Sequence, residues 1–296
     1  MKTYTNPVCE GADPFVLLHE GTYYLYSTNA ADGYKVYTSD DMAEWTCQGY
    51  CLKAEDVKGD RGFWAPEIIY RNGKFYMVYI ANEHLGIAVS DSPLGPFRQE
   101  NKRWLTEGRA IDGHFFRDGD RVYMYYVNYE PEGKTNIFGC EMSEDLQSLV
   151  GDPRRLNAPE QAWELRTSYM KDGEIRCVVE GPFVLKQEGK YYLTYSANAT
   201  QSPFYAVGYA VSDSPLGEYK KYSKNPILKK SETVNGTGHH SFTTTKDGKR
   251  LICVYHTHNS LTEWKPRVAC ADYAEFTVEN GETVLKIHGP TRQEKK

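Results

Sequence analysis

The chain has 296 residues, a formal net charge of -5, 40% hydrophobic and 25% charged residues, proportions of a folded protein that exclude a disordered one. No basic stripe that would track a phosphate backbone is present, only the closing Lys295-Lys296, and no apolar run nears membrane-spanning length, so neither nucleic acid nor membrane is an expected partner. Seven scattered cysteines, an odd number, and a start (Met1 to Pro7) without an apolar leader core predict reduced thiols in the cytoplasm; Cys47 and Cys51 have a metal-like spacing but no second pair joins them.

Five related units follow one another along the chain. The first places the apolar run Phe15-Val16-Leu17-Leu18 before Glu20-Gly21 and the strand Thr22 to Tyr26, then the phrase Ser39-Asp40-Asp41-Met42-Ala43-Glu44-Trp45. The second reads Ile68-Ile69-Tyr70, Asn72-Gly73, Lys74 to Tyr79, a third strand Leu85 to Ser90 and the turn Asp91-Ser92-Pro93-Leu94-Gly95. The third has His114-Phe115-Phe116, Asp118-Gly119, Arg121 to Tyr126 and Ser143-Glu144-Asp145-Leu146. The fourth has Phe183-Val184-Leu185, Glu188-Gly189, Lys190 to Tyr195, a third strand Ala206 to Ser212 and the near-duplicate turn Asp213-Ser214-Pro215-Leu216-Gly217. The fifth has Ser241 to Thr244, Asp247-Gly248 and Lys249 to Tyr255.

In each unit a Gly-containing turn closes a β-hairpin, because Gly takes positive φ without steric cost. Successive turn glycines lie 52, 46, 70 and 59 residues apart, enough for four strands each. Five such units with almost no helical periodicity predict an all-β, five-bladed β-propeller that forms a single domain over 1–296 with a short C-terminal tail. A β-sandwich of similar strand count would not explain five copies of one hairpin. The 24 Tyr fit both strand positions and surfaces that meet sugars.

The first strand of each blade lines the central channel, so residues at its start converge on one mouth. Those starts read Ala12-Asp13-Pro14, Ala65-Pro66-Glu67, Ile111-Asp112-Gly113, Glu180-Gly181-Pro182 and Gly238-His239-His240. Charge at apolar strand starts is costly for packing alone. One such Asp or Glu serves equally well as a turn-former, but Asp13, Asp112 and Glu180, at what reads as one place in a repeat, point to shared chemistry: glycoside hydrolysis or metal binding.

These phrases, with Phe63-Trp64-Ala65-Pro66-Glu67, Val179-Glu180-Gly181-Pro182 and Gly236-Thr237-Gly238-His239-His240-Ser241, resemble glycoside hydrolase family 43 across nearly the whole chain. The resemblance implies a five-bladed propeller acting on α-L-arabinofuranosides or β-D-xylosides with inversion. It implies that Asp13 is the general base, Glu180 the general acid and Asp112 the residue that orients Glu180 and raises its pKa. That division matches the two carboxyl groups an inverting enzyme sets around a water. It further implies sugar-binding roles for Trp64 (with core packing as the plain alternative), Glu67, His239 and Arg267, with a structural calcium near His239 and no cofactor required by the chemistry.

Two departures from the family pattern stand out. His240 replaces a common Gly, and the chain ends 48 residues after its fifth turn glycine, without the C-terminal β-sandwich of many relatives. The second departure favours arabinofuranosidase over xylosidase, and the missing leader favours short, imported, plant-wall-derived oligosaccharides as substrate. A galactan- or fructan-acting propeller hydrolase and a non-catalytic carbohydrate-binding propeller are the competing readings.

Overall fold

Each predicted turn closes an antiparallel hairpin. The computed structural model describes residues 5–130, 134–165, 169–171 and 174–292; the first four residues and Lys295-Lys296 lie outside that set. In the first, second and fourth blades the two residues at the turn both have positive φ: Glu20-Gly21 (47° and 77°), Asn72-Gly73 (51° and 78°) and Glu188-Gly189 (51° and 77°). Two successive left-handed residues make the type I′ turn whose twist matches that of its flanking strands. His19 accordingly pairs with Thr22, Arg71 with Lys74 and Gln187 with Lys190.

The hairpins grow into five antiparallel sheets arranged as a propeller. The first blade runs Ala12–His19, Thr22–Thr28, Gly33–Ser39 and Thr46–Lys53 from the axis outward. The third runs Ala110–Asp118, Arg121–Tyr129, Thr135–Met142 and Leu149–Asn157; the fourth runs Val179–Gln187, Lys190–Ala197, Ala206–Ser212 and Lys220–Lys221. The second has three strands, Glu67–Arg71, Lys74–Ala81 and His84–Ser90, with an isolated bridge from Val89 to Arg98 at its outer edge. The fifth is built from Gly238–Thr244, Leu251–Thr257 and the long strand Val268–Glu279. Both ends of the chain meet on that strand: Cys9–Glu10 pairs with Val268 and Ala269, and Glu282–Ile287 with Ala274 to Glu279. The N-terminal strand thereby closes the ring, and the last blade keeps no long open edge near the mouth.

The tyrosine excess has a packing reason. Tyr26, Tyr34, Tyr79, Tyr125, Tyr195, Tyr205, Tyr209 and Tyr255 are among the largest fully buried side chains. Burying a ring of that size between blades contributes about 1.5–3 kcal/mol when its hydroxyl also finds an acceptor. Tyr26 donates to the Pro93 carbonyl at 2.5 Å and Tyr125 to the Pro215 carbonyl at 2.6 Å. Those acceptors sit in the two near-duplicate Asp-Ser-Pro-Leu-Gly turns, so each turn receives a tyrosine from the preceding blade. The repeated turn phrase is thus part of the blade-to-blade joint.

Candidate active site

At the mouth of the channel a left-handed residue lies at or just before the start of every innermost strand: Asp13 (φ 54°), Ala65 (38°), Asp112 (56°), Gly181 (55°) and His239 (44°). In four blades the pairing register slips beside it, between Ala12 and Phe15, between Tyr125 and Val127 on the strand opposite Asp112, between Glu180 and Phe183, and between Gly238 and Ser241. Such bulges re-aim side chains at the end of a strand. Positive φ in non-Gly residues is costly and clusters where function demands it.

This alignment corrects the repeat as read from sequence. Asp13 and Asp112 occupy equivalent places, but Glu180 stands one residue before the left-handed position and Glu67 two residues after it. Glu180 reaches the mouth with the longer side chain. Glu67 falls one step deeper in the channel, where His114 Nδ1 contacts both its carboxylate oxygens at 2.8 and 2.9 Å and the Phe115 N–H donates to Oε1 at 2.8 Å. His114 Nε2 accepts from the Val184 N–H at 2.9 Å, so the ring proton sits on Nδ1 and points at Glu67. A carboxylate committed in this way is a strut between the second, third and fourth blades, and the expected role of Glu67 as an acceptor of sugar hydroxyls does not fit it.

Asp13 is the most heavily held of the acids. Arg267 Nη1 lies 2.7 Å from its Oδ1 and Nη2 3.4 Å from Oδ2. Thr28 donates to Oδ2 at 2.7 Å and itself accepts the Ala65 N–H at 2.9 Å. Nδ1 of His256 lies 3.1 Å from Oδ1 and 3.2 Å from the Asp13 backbone nitrogen, and Nδ1 of His239 lies 3.5 Å from Oδ1. Burial alone would raise the pKa of this carboxyl. Arg267, His239 and His256 together outweigh burial and hold it well below the usual carboxylate range.

Asp112 and Glu180 go the other way. Burial, then repulsion from Glu180 and from Asp13, pushes Asp112 well above the ordinary range, against the Gly181 N–H that donates to its Oδ2 at 3.1 Å. Glu180 is pushed up to about 7, first by burial; the Asp13 charge adds to this, while a hydrogen bond from Tyr205 and the charge of Arg267 oppose it. Burial is therefore the main cause for Glu180, ahead of the like-charge repulsion expected from sequence. The two acids titrate as a pair.

Trp64 is 38% exposed at the rim, which rules out core packing. Arg267 is at the mouth, in contact with Asp13 and with Thr200 Oγ1 at 3.1 Å. His239 donates its backbone N–H to Ser196 Oγ at 2.8 Å and turns Nδ1 between Asp13 and Asp112 Oδ2, 4.0 Å from the latter. His240 is buried in the channel wall, its Nε2 2.6 Å from Thr194 Oγ1 and its ring edge-on to Phe242. The channel just below the acids narrows to a cavity of about 20 Å³ lined by Glu67, His239 and His240 among others, room for one water. Calcium takes six to eight oxygen ligands. Among the described residues no three His, Cys, Asp or Glu side chains converge to hold a metal. The carboxylate oxygens that face His239 Nδ1 are those of Asp13, already engaged by Arg267, and of Asp112. These side chains by themselves supply fewer oxygens than a calcium shell takes.

Sequence reading missed Tyr205, His256, Thr28 and Thr200. Tyr205 precedes the third strand of the fourth blade and donates its hydroxyl to Glu180 Oε1 at 2.6 Å. Thr28 is the last residue of one second strand, Thr200 follows another, and His256 lies near the end of a third. Thr28 is 15, Tyr205 25 and His256 243 positions from the acid it touches, and a lone Thr or Tyr near a strand end carries no local signal. The sequence signal available was positional: strand ends on the same face as Asp13.

A family profile described as Glycosyl hydrolases family 43 matches residues 4–280. A solved thermostable family-43 glycoside hydrolase is 42% identical, with a TM-score of 0.88 over 99% of this chain and 98% of that one. An extracellular exo-α-(1→5)-L-arabinofuranosidase of Streptomyces chartreusis is 30% identical over 86% of this chain and 82% of its own length. A β-D-galactofuranosidase of Aspergillus niger is 29% identical over 92% of this chain and 82% of its own.

Proposed function

The chain belongs to family 43 of the glycosyl hydrolases, and from that premise we propose that it releases terminal α-L-arabinofuranose from arabino- and xylo-oligosaccharides by a single, inverting displacement. The observation that carries this reading is the split between its acids: Asp13 is held ionised while Glu180 is pushed up to about 7. Environments that drive two carboxyl groups apart in pKa assign the base and the acid.

Water attacks the anomeric carbon on the face opposite the leaving oxygen. As the new C–O bond forms, Asp13 takes a water proton, and Oδ2, which accepts from Thr28 and is less crowded by Arg267 and His256 than Oδ1, is the oxygen we assign to that role. The bond to the leaving oxygen breaks as Glu180 gives it a proton. Asp112 and Glu180 repel each other as buried carboxylates, so the pair retains a proton and Glu180 can stay protonated for use near neutral pH. Arg267 and the exposed indole of Trp64 bound the sugar.

The furanoside specificity is supported by two relatives whose names specify furanosides, an L-arabinofuranosidase and a D-galactofuranosidase. Asp13→Asn and Glu180→Gln are each expected to lower kcat on an arabino-oligosaccharide by about 10²–10⁴-fold, the usual contribution of a positioned acid or base. Circular dichroism should show both variants folded. Turnover within a few-fold of the parent in either variant would remove that residue from its role.

A further inference from the structure

We propose that Tyr205 is the positioning residue for the catalytic acid: its hydroxyl fixes which oxygen of Glu180 carries the proton and stabilises the carboxylate that proton transfer leaves behind. The inference rests on Glu180 being the acid and deepens that reading.

The geometry is specific. Tyr205 is fully buried, and its one hydroxyl proton has Glu180 Oε1 as acceptor at 2.6 Å. Burial, then the charge of Glu180, raises the phenol pKa well above its ordinary value, so the phenol stays a donor throughout the working pH range. With Oε1 occupied as an acceptor, the acid proton of Glu180 belongs on Oε2, and Oε2 is the oxygen that delivers it. When the proton leaves, the hydrogen bond becomes charge-assisted and strengthens. The phenol thus contributes more after proton transfer than before it, which is the condition for accelerating the step.

The ring is fixed as carefully as the hydroxyl. It lies over Gly238, where a Cβ would come within 2.3 Å of Tyr205 Cε1. On one side it stacks on the His256 imidazole, with centroids 5.5 Å apart and planes 7° from parallel. His256 Nδ1 is the group 3.1 Å from Asp13 Oδ1, and its Nε2 faces Thr200, which also holds Arg267. One stacked pair therefore sets the acid and the base in register.

The test separates position from mere stability. Tyr205→Phe keeps the stack and removes the donor. On an oligosaccharide, whose alcohol leaving group needs protonation, kcat is expected to fall about 10–100-fold. On the corresponding 2,4-dinitrophenyl pentoside, whose leaving group needs no proton, kcat should fall less than about 3-fold, and KM should stay near the parent value on both. The alkaline limb of kcat/KM should move up by about one pH unit, because the lost hydrogen bond favoured the carboxylate. The other charged and titratable groups acting on or with Glu180 are Asp13, Asp112, Arg267 and Tyr129, and none is changed, so the limb reports the phenol alone. If Tyr205→Phe does not fold, 3,5-difluorotyrosine installed at 205 sharpens the donor at constant shape and should move the limb down.

Equal losses on the two substrates, or an unmoved limb, overturn the proposal. Glu180→Ala run beside it separates the two levels: if it does not lose far more on the oligosaccharide than on the dinitrophenyl pentoside, the acid assignment itself has failed.

Discussion

Removing the Glu67 carboxylate asks whether this residue is a strut or a sugar ligand. Glu67→Ala leaves two buried donors, His114 Nδ1–H and the Phe115 N–H, without the acceptor they share. Each unsatisfied buried donor costs about 1–3 kcal/mol. Against that stands the relief of a buried carboxylate whose pKa burial has raised despite His114 and the Phe115 N–H. The net is a destabilisation of about 3 kcal/mol, and at roughly 2–3 °C per kcal/mol for a chain of this size the Tm should fall by about 6–9 °C. Glu67→Gln retains one acceptor and should lose about half as much. The assay is a thermal melt with a urea titration as check, beside kcat and KM at 25 °C, where both variants should stay within about 3-fold of the parent. A Tm within about 1 °C of the parent together with a tenfold rise in KM would refute the reasoning and return Glu67 to the sugar pocket.

Two further expectations concern the acids. The kcat/KM profile should fall as pH rises through about 7, where Glu180 loses its proton, and should stay level down to well below the usual carboxylate range, because Asp13 remains ionised there. A falling acid limb near pH 5 would contradict the Arg267-held base. Stability carries the same signature with a definite sign. Glu180 rises from 4.5 to about 7 on folding, so between those pH values the folded state holds a proton the unfolded chain has lost, and stability falls as pH increases. Glu180→Gln should therefore be more stable than the parent at pH 8, by roughly 1–3 kcal/mol, and equal to it at pH 4. Melts that coincide at pH 8 would show that the acid is not strained in place.

Much of the blade architecture was legible because its turns obey a local rule. A Gly after Glu or Asn between two apolar runs has few alternatives to a hairpin, and Gly21, Gly73 and Gly189 all take the positive φ that the rule requires. The position of Asp13 and Asp112 at the mouth followed from that frame. The one-residue offset of Glu180 and the two-residue offset of Glu67 did not, because the left-handed residue that sets the phase changes type from blade to blade: it is Gly181 beside Glu180 and Ala65 ahead of Glu67, and an alanine has no intrinsic preference for that conformation. The groups that tune the acids were illegible for a different reason. Tyr205 is 25 positions from Glu180 and His256 is 243 from Asp13, and only closure of the ring brings the fifth blade against the first. The Cys9–Glu10 strand that closes it is two residues long, too short for any periodicity.

The stereochemistry of the first product tests the central claim most directly. Proton NMR should follow the enzyme acting on 4-nitrophenyl α-L-arabinofuranoside and, separately, on the β-D-xyloside, reading the anomer released before mutarotation. Faster release of arabinose, first seen as the β-anomer, is the expected result and joins Asp13 as base to Glu180 as acid in one displacement. Arabinose released first as the α-anomer would make Asp13 a nucleophile and contradict the account.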